Sequence, residues 1–310
     1  MNMPLGFARL AIASAIFAIA GCSKSGENSA TPPPPPQLYS INLSPAFKIG
    51  QKFSLVSDLS EKSQSHTVIN LPGIALPQND DRSEGLAADL EGEAEVLGVF
   101  PNGGMQKLSL TVKAIKVSKN GKAIPGLPAT GAKIIAERTG DKIAISVNDQ
   151  AADADVTSAL NELIALDDDK FTLQDLCGSK VPVALGATWP VNSADVEDSL
   201  KSSLGGEFTG AKGTMKLESI KGVGADQIAT VSGGFAIDSY KPTLPAVMTI
   251  DSGVITSSFS CLIPATTGKS ALKIMKSMNM KTQAHGSPNG ATVKLELTGQ
   301  QIRNTVMTFQ

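Results

Sequence analysis

Few side chains in this sequence are spaced for chemistry, and each set can be weighed against what its reaction would need. Ser270-Ala271-Leu272-Lys273 has the Ser-x-x-Lys spacing of a serine nucleophile activated by a lysine amine. That chemistry also needs Ser-Asp-Asn and Lys-Thr-Gly elements, and neither follows Lys273. Gly268-Lys269-Ser270 looks like the end of a phosphate-binding loop, but the position that must hold its first glycine is Ile263. His66 and His285 are the only imidazoles, with no spacing that grips zinc, and both read as surface-loop residues. Asp80-Asp81 and Asp167-Asp168-Asp169 lack the alternating oxygens and turn glycine of a calcium loop, so they read as solvated loop charge. No catalytic constellation, metal site or cofactor site is complete. The residues with assignable chemistry are the cysteines: Cys22, Cys177 and Cys261.

Cys22 follows an export signal. Arg9 supplies a positive charge, and Leu10 to Ala20 form an uninterrupted run of apolar and small residues. At about a dozen residues, roughly 18 Å as a helix, the run is too short for a hydrocarbon core of about 30 Å. It ends in Ile19-Ala20-Gly21-Cys22: a branched apolar residue, two small residues, then a thiol. This order resembles the lipobox of bacterial lipoprotein precursors. The resemblance implies that the thiol takes a diacylglyceryl group, that cleavage falls between Gly21 and Cys22, and that the freed amine is acylated in turn. Two or three chains give stable anchoring where one gives only marginal binding. By the enterobacterial sorting rule, Ser23 in place of Asp favours the outer membrane, facing the periplasm. The expected membrane partner is therefore the bilayer, reached through acylated Cys22.

Residues 22–44 carry little hydrophobicity and include five prolines at 32–36. Such a stretch cannot bury enough to order itself, and its polyproline II run extends at about 3.1 Å per residue. It reads as a tether. In an oxidising compartment the remaining even pair, Cys177 and Cys261, is expected to form a disulfide. The loop closed would be about 85 residues, worth roughly 4–5 kcal/mol in the chain-entropy view.

The elements that must position anything else are mostly strands. The 310 residues are 41% hydrophobic and 18% charged, with a net charge of −2, an ordinary globular composition. No basic stripe or arginine-rich run appears, which excludes nucleic-acid binding. Aromatic residues make up 4%, with Trp189 the single tryptophan, too few for stacking platforms. From about residue 45 the chain reads as mainly β, antiparallel, in two similar halves, 45–150 and 181–310, joined by a helical connector, 151–180. The first half opens on Ile49-Gly50-Gln51-Lys52-Phe53-Ser54-Leu55 and the second on Leu185-Gly186-Ala187-Thr188-Trp189-Pro190-Val191, which share one pattern. Strand pairs follow at 92–99 with 107–117 and at 213–220 with 227–237. Leu108, Leu110, Val112 and Ala114 alternate with polar residues, so they should share a buried face. Further hairpins are expected at 132–147, turning at 139–141, and at 246–262, turning at Ser252-Gly253.

One or two short helices are expected. Val156, Leu160, Leu163 and Ile164 form one stripe on a helix over about 152–166. Ser193 caps another that carries Val196, Leu200 and Leu204 and stops at Gly205-Gly206. Helices lying on twisted antiparallel sheets make the chain similar in architecture to the half-barrels of periplasmic lipoprotein carriers, with no motif in common. Lys269, Lys273, Lys276 and Lys281 interleave with Leu272, Ile274, Met275, Met278 and Met280 and read as a strand whose lysines face water. The expectation is a non-enzymatic envelope module that binds a partner protein or an apolar ligand, with a tethered hydrolase as the alternative.

Overall fold

The computed structural model describes residues 36–44, 46–72, 78–140, 142–164, 166–223, 227–242, 248–264, 271–287 and 290–310. The folded unit, Gln37–Gln310, is mainly β and antiparallel, with three helices among the described residues. The first strands are β1 (Leu38–Tyr39), β2 (Lys52–Asn70), β3 (Gln78–Val99), β4 (Met105–Lys119), β5 (Lys122–Ala123), β6 (Lys133–Thr139), β7 (Lys142–Val147) and β8 (Gln150–Ala151). Then come α1 (Ala154–Leu163), α2 (Leu173–Cys177), β9 (Val183–Ala184), β10 (Thr188–Pro190) and α3 (Ser193–Leu204). The last strands are β11 (Glu207–Lys221), β12 (Ile228–Lys241), β13 (Met248–Pro264), β14 (Ala271–Gly286) and β15 (Thr292–Phe309).

Thirteen strands form one sheet in the order β10-β11-β12-β13-β14-β15-β2-β3-β4-β6-β7-β8, with β5 paired to β4. The chain starts at the centre of this sheet, meanders out to β8, crosses through residues 152–187 to β10 at the far edge, and meanders back. β15 pairs with β2 along nearly their whole length, from Thr292↔Asn70 to Phe309↔Phe53. The two sequence halves are thus adjoining parts of one sheet over one core, to which β4, β6, β11, β12 and β13 all contribute.

Strict alternation makes these strands. In β2, Phe53, Leu55, Ser57 and Leu59 are buried, while Val56 between them is 45% exposed. A β-bulge interrupts the pattern in β4, where the register shifts between Glu91 and Gly92 of its partner. The extra residue flips the phase: Leu108, Leu110 and Val112 are buried, but Ala114 turns outward and Val117 takes over the inner face. Curling the second meander brings backbones very close. A Cβ at Gly234 would lie 2.1 Å from the Ser257 carbonyl, and one at Gly253 would lie 1.8 Å from that of Tyr240. Ser252-Gly253 is accordingly no turn: β13 runs through it with a bulge between Ile250 and Ser252, and glycine is what the close approach demands.

The connector lies on the inner face. α1 packs on β2, β3 and β7, and α3 on β11. α3 has Asn192 as its N-cap, one residue before the expected Ser193, and ends at Gly205 with φ of 68°. α2, which sequence periodicity missed, is five residues long and is held by a Thr172–Asp175 capping box. The expected tether also ends earlier than residue 44. Leu38 and Tyr39 pair with Ala184 and Val183, and Ile41 and Leu43 are buried in the core, because their side chains have an apolar surface to cover.

Candidate functional site

A cavity of about 190 Å³ lies between the inner face of β14 and β15 and the segments that cross over it. Its floor is a ladder of cross-strand pairs: Leu272↔Met307, Ile274↔Thr305 and Lys276↔Arg303. Its roof combines Leu43, Phe47, the β3–β4 turn at Asn102–Gly104, Asp167 and Leu173. Sequence explains why these roof segments meet. Gly103 has φ of 84°, and a Cβ there would lie 2.9 Å from that of Ala46. A Cβ at Gly104 would lie 2.8 Å from that of Asp167. Two glycines in one turn therefore let three segments touch.

Hydrogen bonds fix the roof. The Met105 N–H donates to Asp167 Oδ2 at 2.6 Å, and the Asp167 N–H donates back to the Met105 carbonyl at 3.0 Å. Asn102 Nδ2 donates to the Asp168 carbonyl at 3.0 Å. The Leu43 N–H donates to Gln174 Oε1 at 2.9 Å, and the Gln174 N–H donates to Ser44 Oγ at 3.1 Å. Phe47, Phe53 and Phe309 cluster beside the roof with ring centroids 5.8–6.4 Å apart. Asp167 is thus not solvated loop charge: burial pushes its carboxyl above the usual range, and the Met105 N–H and Arg138 pull the other way.

The polar end of the cavity holds two cations. Lys276 belongs to the inner row with Leu272, Ile274, Met278 and Met280, while Lys273 and Lys281 face outward. One face of lysines was expected, but alternation splits them because 276 differs in parity from 273 and 281; Lys269 lies outside the described residues. Enclosure by protein lowers the Lys276 amine, and neighbouring Arg303 lowers it further. Arg303 is lowered by burial and partly restored by Glu162 of α1. Glu162 is itself raised, first by burial and then by Glu61, and its Oε2 accepts from Gln301 Nε2 at 3.3 Å. Arg303 Nε and Nη2 are buried with no acceptor, and Ser257 Oγ and Thr282 Oγ1, from the same inner face, have none either. Arg303 escaped the sequence reading although it is in phase with Thr305, Met307 and Phe309. A cation at an inward position of an alternating strand was the available signal.

The other sequence candidates do not converge on this cavity as a catalytic set. His66 and His285 sit in β2 and β14, not in loops, with Nδ1 bonded to Asp81 and, at 2.6 Å, to Asp251. No hydroxyl or thiol joins either pair among the described residues. Asp80 pairs with Arg82 at 2.7 Å. Lys273 is in β14, whereas Gly268 and Ser270 fall outside the described residues, as do Gly21 and Cys22. Cys177 and Cys261 both reach the core, on α2 and β13, and stand there as free thiols rather than bonded. Burial pushes each thiol up to about 12, with Cys261 adding to the shift at Cys177. Trp189 Nε1 donates to the Cys177 carbonyl at 2.7 Å. No group of three or more metal-binding side chains occurs among the described residues.

No protein-family model matches the chain, and no curated protein does. Among solved structures it has a likeness to one described as lipid–protein interactions in lipovitellin, with a TM-score of 0.32 and 10% identity. That match covers 85% of this chain and 25% of the other, so the chain spans about a quarter of that protein's length. A mutant of the TodX monoaromatic hydrocarbon channel gives a TM-score of 0.10 at 8% identity, over 86% of this chain and 92% of that one. Neither likeness reaches the level of a shared fold.

Proposed function

We propose that this chain is a membrane-tethered binding module that holds a small apolar molecule, or one alkyl chain of a larger one, between its sheet and its crossover. The cavity carries this reading. It is walled by Leu43, Phe47, Leu173, Leu272, Ile274 and Met307, and its volume is about 190 Å³. An apolar cavity of about 150 Å³ stays dry and takes benzene, so the space suits a short alkyl segment. The order Ile19-Ala20-Gly21-Cys22 supports export, cleavage before Cys22 and acylation there. The tether then holds the sheet off the outer membrane on its periplasmic side. In that oxidising compartment Cys177 and Cys261, unbonded in this structure, would join as a disulfide.

Native mass spectrometry of protein extracted from membranes tests the whole reading. The expected mass is that of the chain from Cys22 plus attached acyl groups, less two hydrogens for the disulfide, with an apolar species released on denaturation. A mature chain without added lipid mass ends the anchor. Ile274→Trp, which fills the cavity, should abolish the released species. A wild-type protein that never carries one, and an Ile274→Trp variant that carries it unchanged, each rule the cavity out.

A further inference from the structure

We infer that the molecule in this cavity carries an anionic head with at least two terminal oxygens, a carboxylate or a phosphate monoester, seated on Arg303 and Lys276. This rests on the binding reading above and names the ligand's chemical class.

The first observation is placement. Lys276 and Arg303 are directly opposite on the inner face of β14 and β15, and like charges opposite one another destabilise a sheet. An inward cation pair therefore needs a counter-charge, built in or supplied. The built-in supply is short. Neither cation has a carboxylate within ion-pair distance among the described residues. Glu162 is held by Gln301 at 3.3 Å, and Asp167, the acid on the cavity wall, has Oδ2 taken by the Met105 N–H at 2.6 Å.

The second observation is the pair of orphaned donors. Arg303 Nε and Nη2 are buried without an acceptor. These two N–H groups lie on one edge of the guanidinium, which is the edge that grips two oxygens of one carboxylate or phosphate. A buried donor left without a partner carries a desolvation penalty, which a bound oxyanion would remove once the side chain turns that sealed edge toward the cavity it lines. The rest of the lining selects for a tail. Leu272, Ile274 and Met307 continue the same inner rows away from the cations, so a molecule charged at one end and apolar at the other matches the gradient. A free inorganic anion would leave the apolar part unused.

The test uses the full chain in phosphatidylcholine nanodiscs, with empty nanodiscs as the blank, and calorimetric titration with octanoate, octyl phosphate, octanol, acetate and inorganic phosphate. Octanoate or octyl phosphate should bind at least about tenfold more tightly than octanol, the scale of hydrogen bonds to a charged group, and the tighter of the two identifies the head. Arg303→Gln should weaken that anion about tenfold and leave octanol unchanged. Arg303→Lys, which keeps the charge and loses the fork, should also weaken it. Lys276→Gln, at an exposed side chain, carries the same test should Arg303→Gln not fold. Equal binding of octanol and both anions overturns the head assignment and leaves the cavity reading standing. Binding of none of the eight-carbon probes overturns both. Acetate or inorganic phosphate binding as tightly as its octyl counterpart overturns the requirement for a tail.

Discussion

The two faces of this sheet treat charge in opposite ways. On the outer face several cations have carboxylates beside them: Lys281 and Glu296 are 2.8 Å apart, Lys107 and Glu137 2.7 Å, and Lys216 and Glu218 2.8 Å. On the inner face Lys276 and Arg303 sit opposite each other, and two guanidinium nitrogens have no acceptor. Outer pairs are cheap to keep, because exposed ion pairs contribute little and cost little. Like charges set opposite each other destabilise a sheet, and buried guanidinium donors without an acceptor add to that cost, so the pair marks the inner face of β14 and β15 as a place where something other than packing is served.

The largest effect that can break this division is a test of burial itself. Leu55 and Val56 are neighbours on β2, 2% and 45% exposed. Leu55→Ala should cost about 2–5 kcal/mol, whereas Val56→Ala should stay within about 0.5 kcal/mol, as surface changes do. Chemical denaturation measures both, and similar losses would mean that the inner face is not the core of this sheet. Next in size is Arg303→Met. Replacing a poorly compensated buried charge by an apolar side chain is neutral or stabilising, so ligand-free protein should gain about 1 kcal/mol or remain unchanged. A clear loss in the same denaturation experiment would show that Arg303 is a structural tie to Glu162, and the contrast between the faces would weaken.

Much of this division was legible in the residues themselves. Alternation in β2 and in the first half of β4 identifies the buried face correctly. The same rule places Lys276 and Arg303 inward once the phase is counted from Leu272 and Phe309. What alternation could not give is where the phase changes. The bulge that turns Ala114 outward depends on how β4 pairs with Gly92 of β3, a non-local fact. The apparent turn at Ser252-Gly253 failed for a related reason: glycine there answers to the Tyr240 backbone, not to chain reversal. The cavity was not readable at all. Its roof joins residues 43–47, 102–104 and 167–173, and only the crossover, held through Gln174 and Asp167, brings them over the floor. Cys22 is the reverse case, a local signal complete in four residues that owes nothing to the fold.

The sharpest form of the comparison is the sign of the pH dependence of two glutamates, and it also yields the smallest effects. Glu162 faces inward, and burial raises its carboxyl. The folded protein therefore holds that proton more tightly than the unfolded chain does, and stability falls as pH rises from the ordinary carboxylate value through the raised one. Glu162→Gln removes this loss, so its melting temperature should gain on the wild type as pH rises from 4 to 7. Glu93 faces outward, and hydrogen bonds from Lys113 first and then Ser54 lower it. Its contribution is fully present above the ordinary carboxylate value and disappears as pH falls through the lowered one. Glu93→Gln should therefore lose a little relative to wild type at neutral pH and nothing at strongly acid pH. Salt should shrink the Glu93 effect, because that pair is open to screening, and leave the Glu162 effect nearly intact. If both variants shifted with the same sign and the same salt dependence, the inner carboxylate would be in water. The burial that leaves two Arg303 donors without an acceptor would then be lost with it.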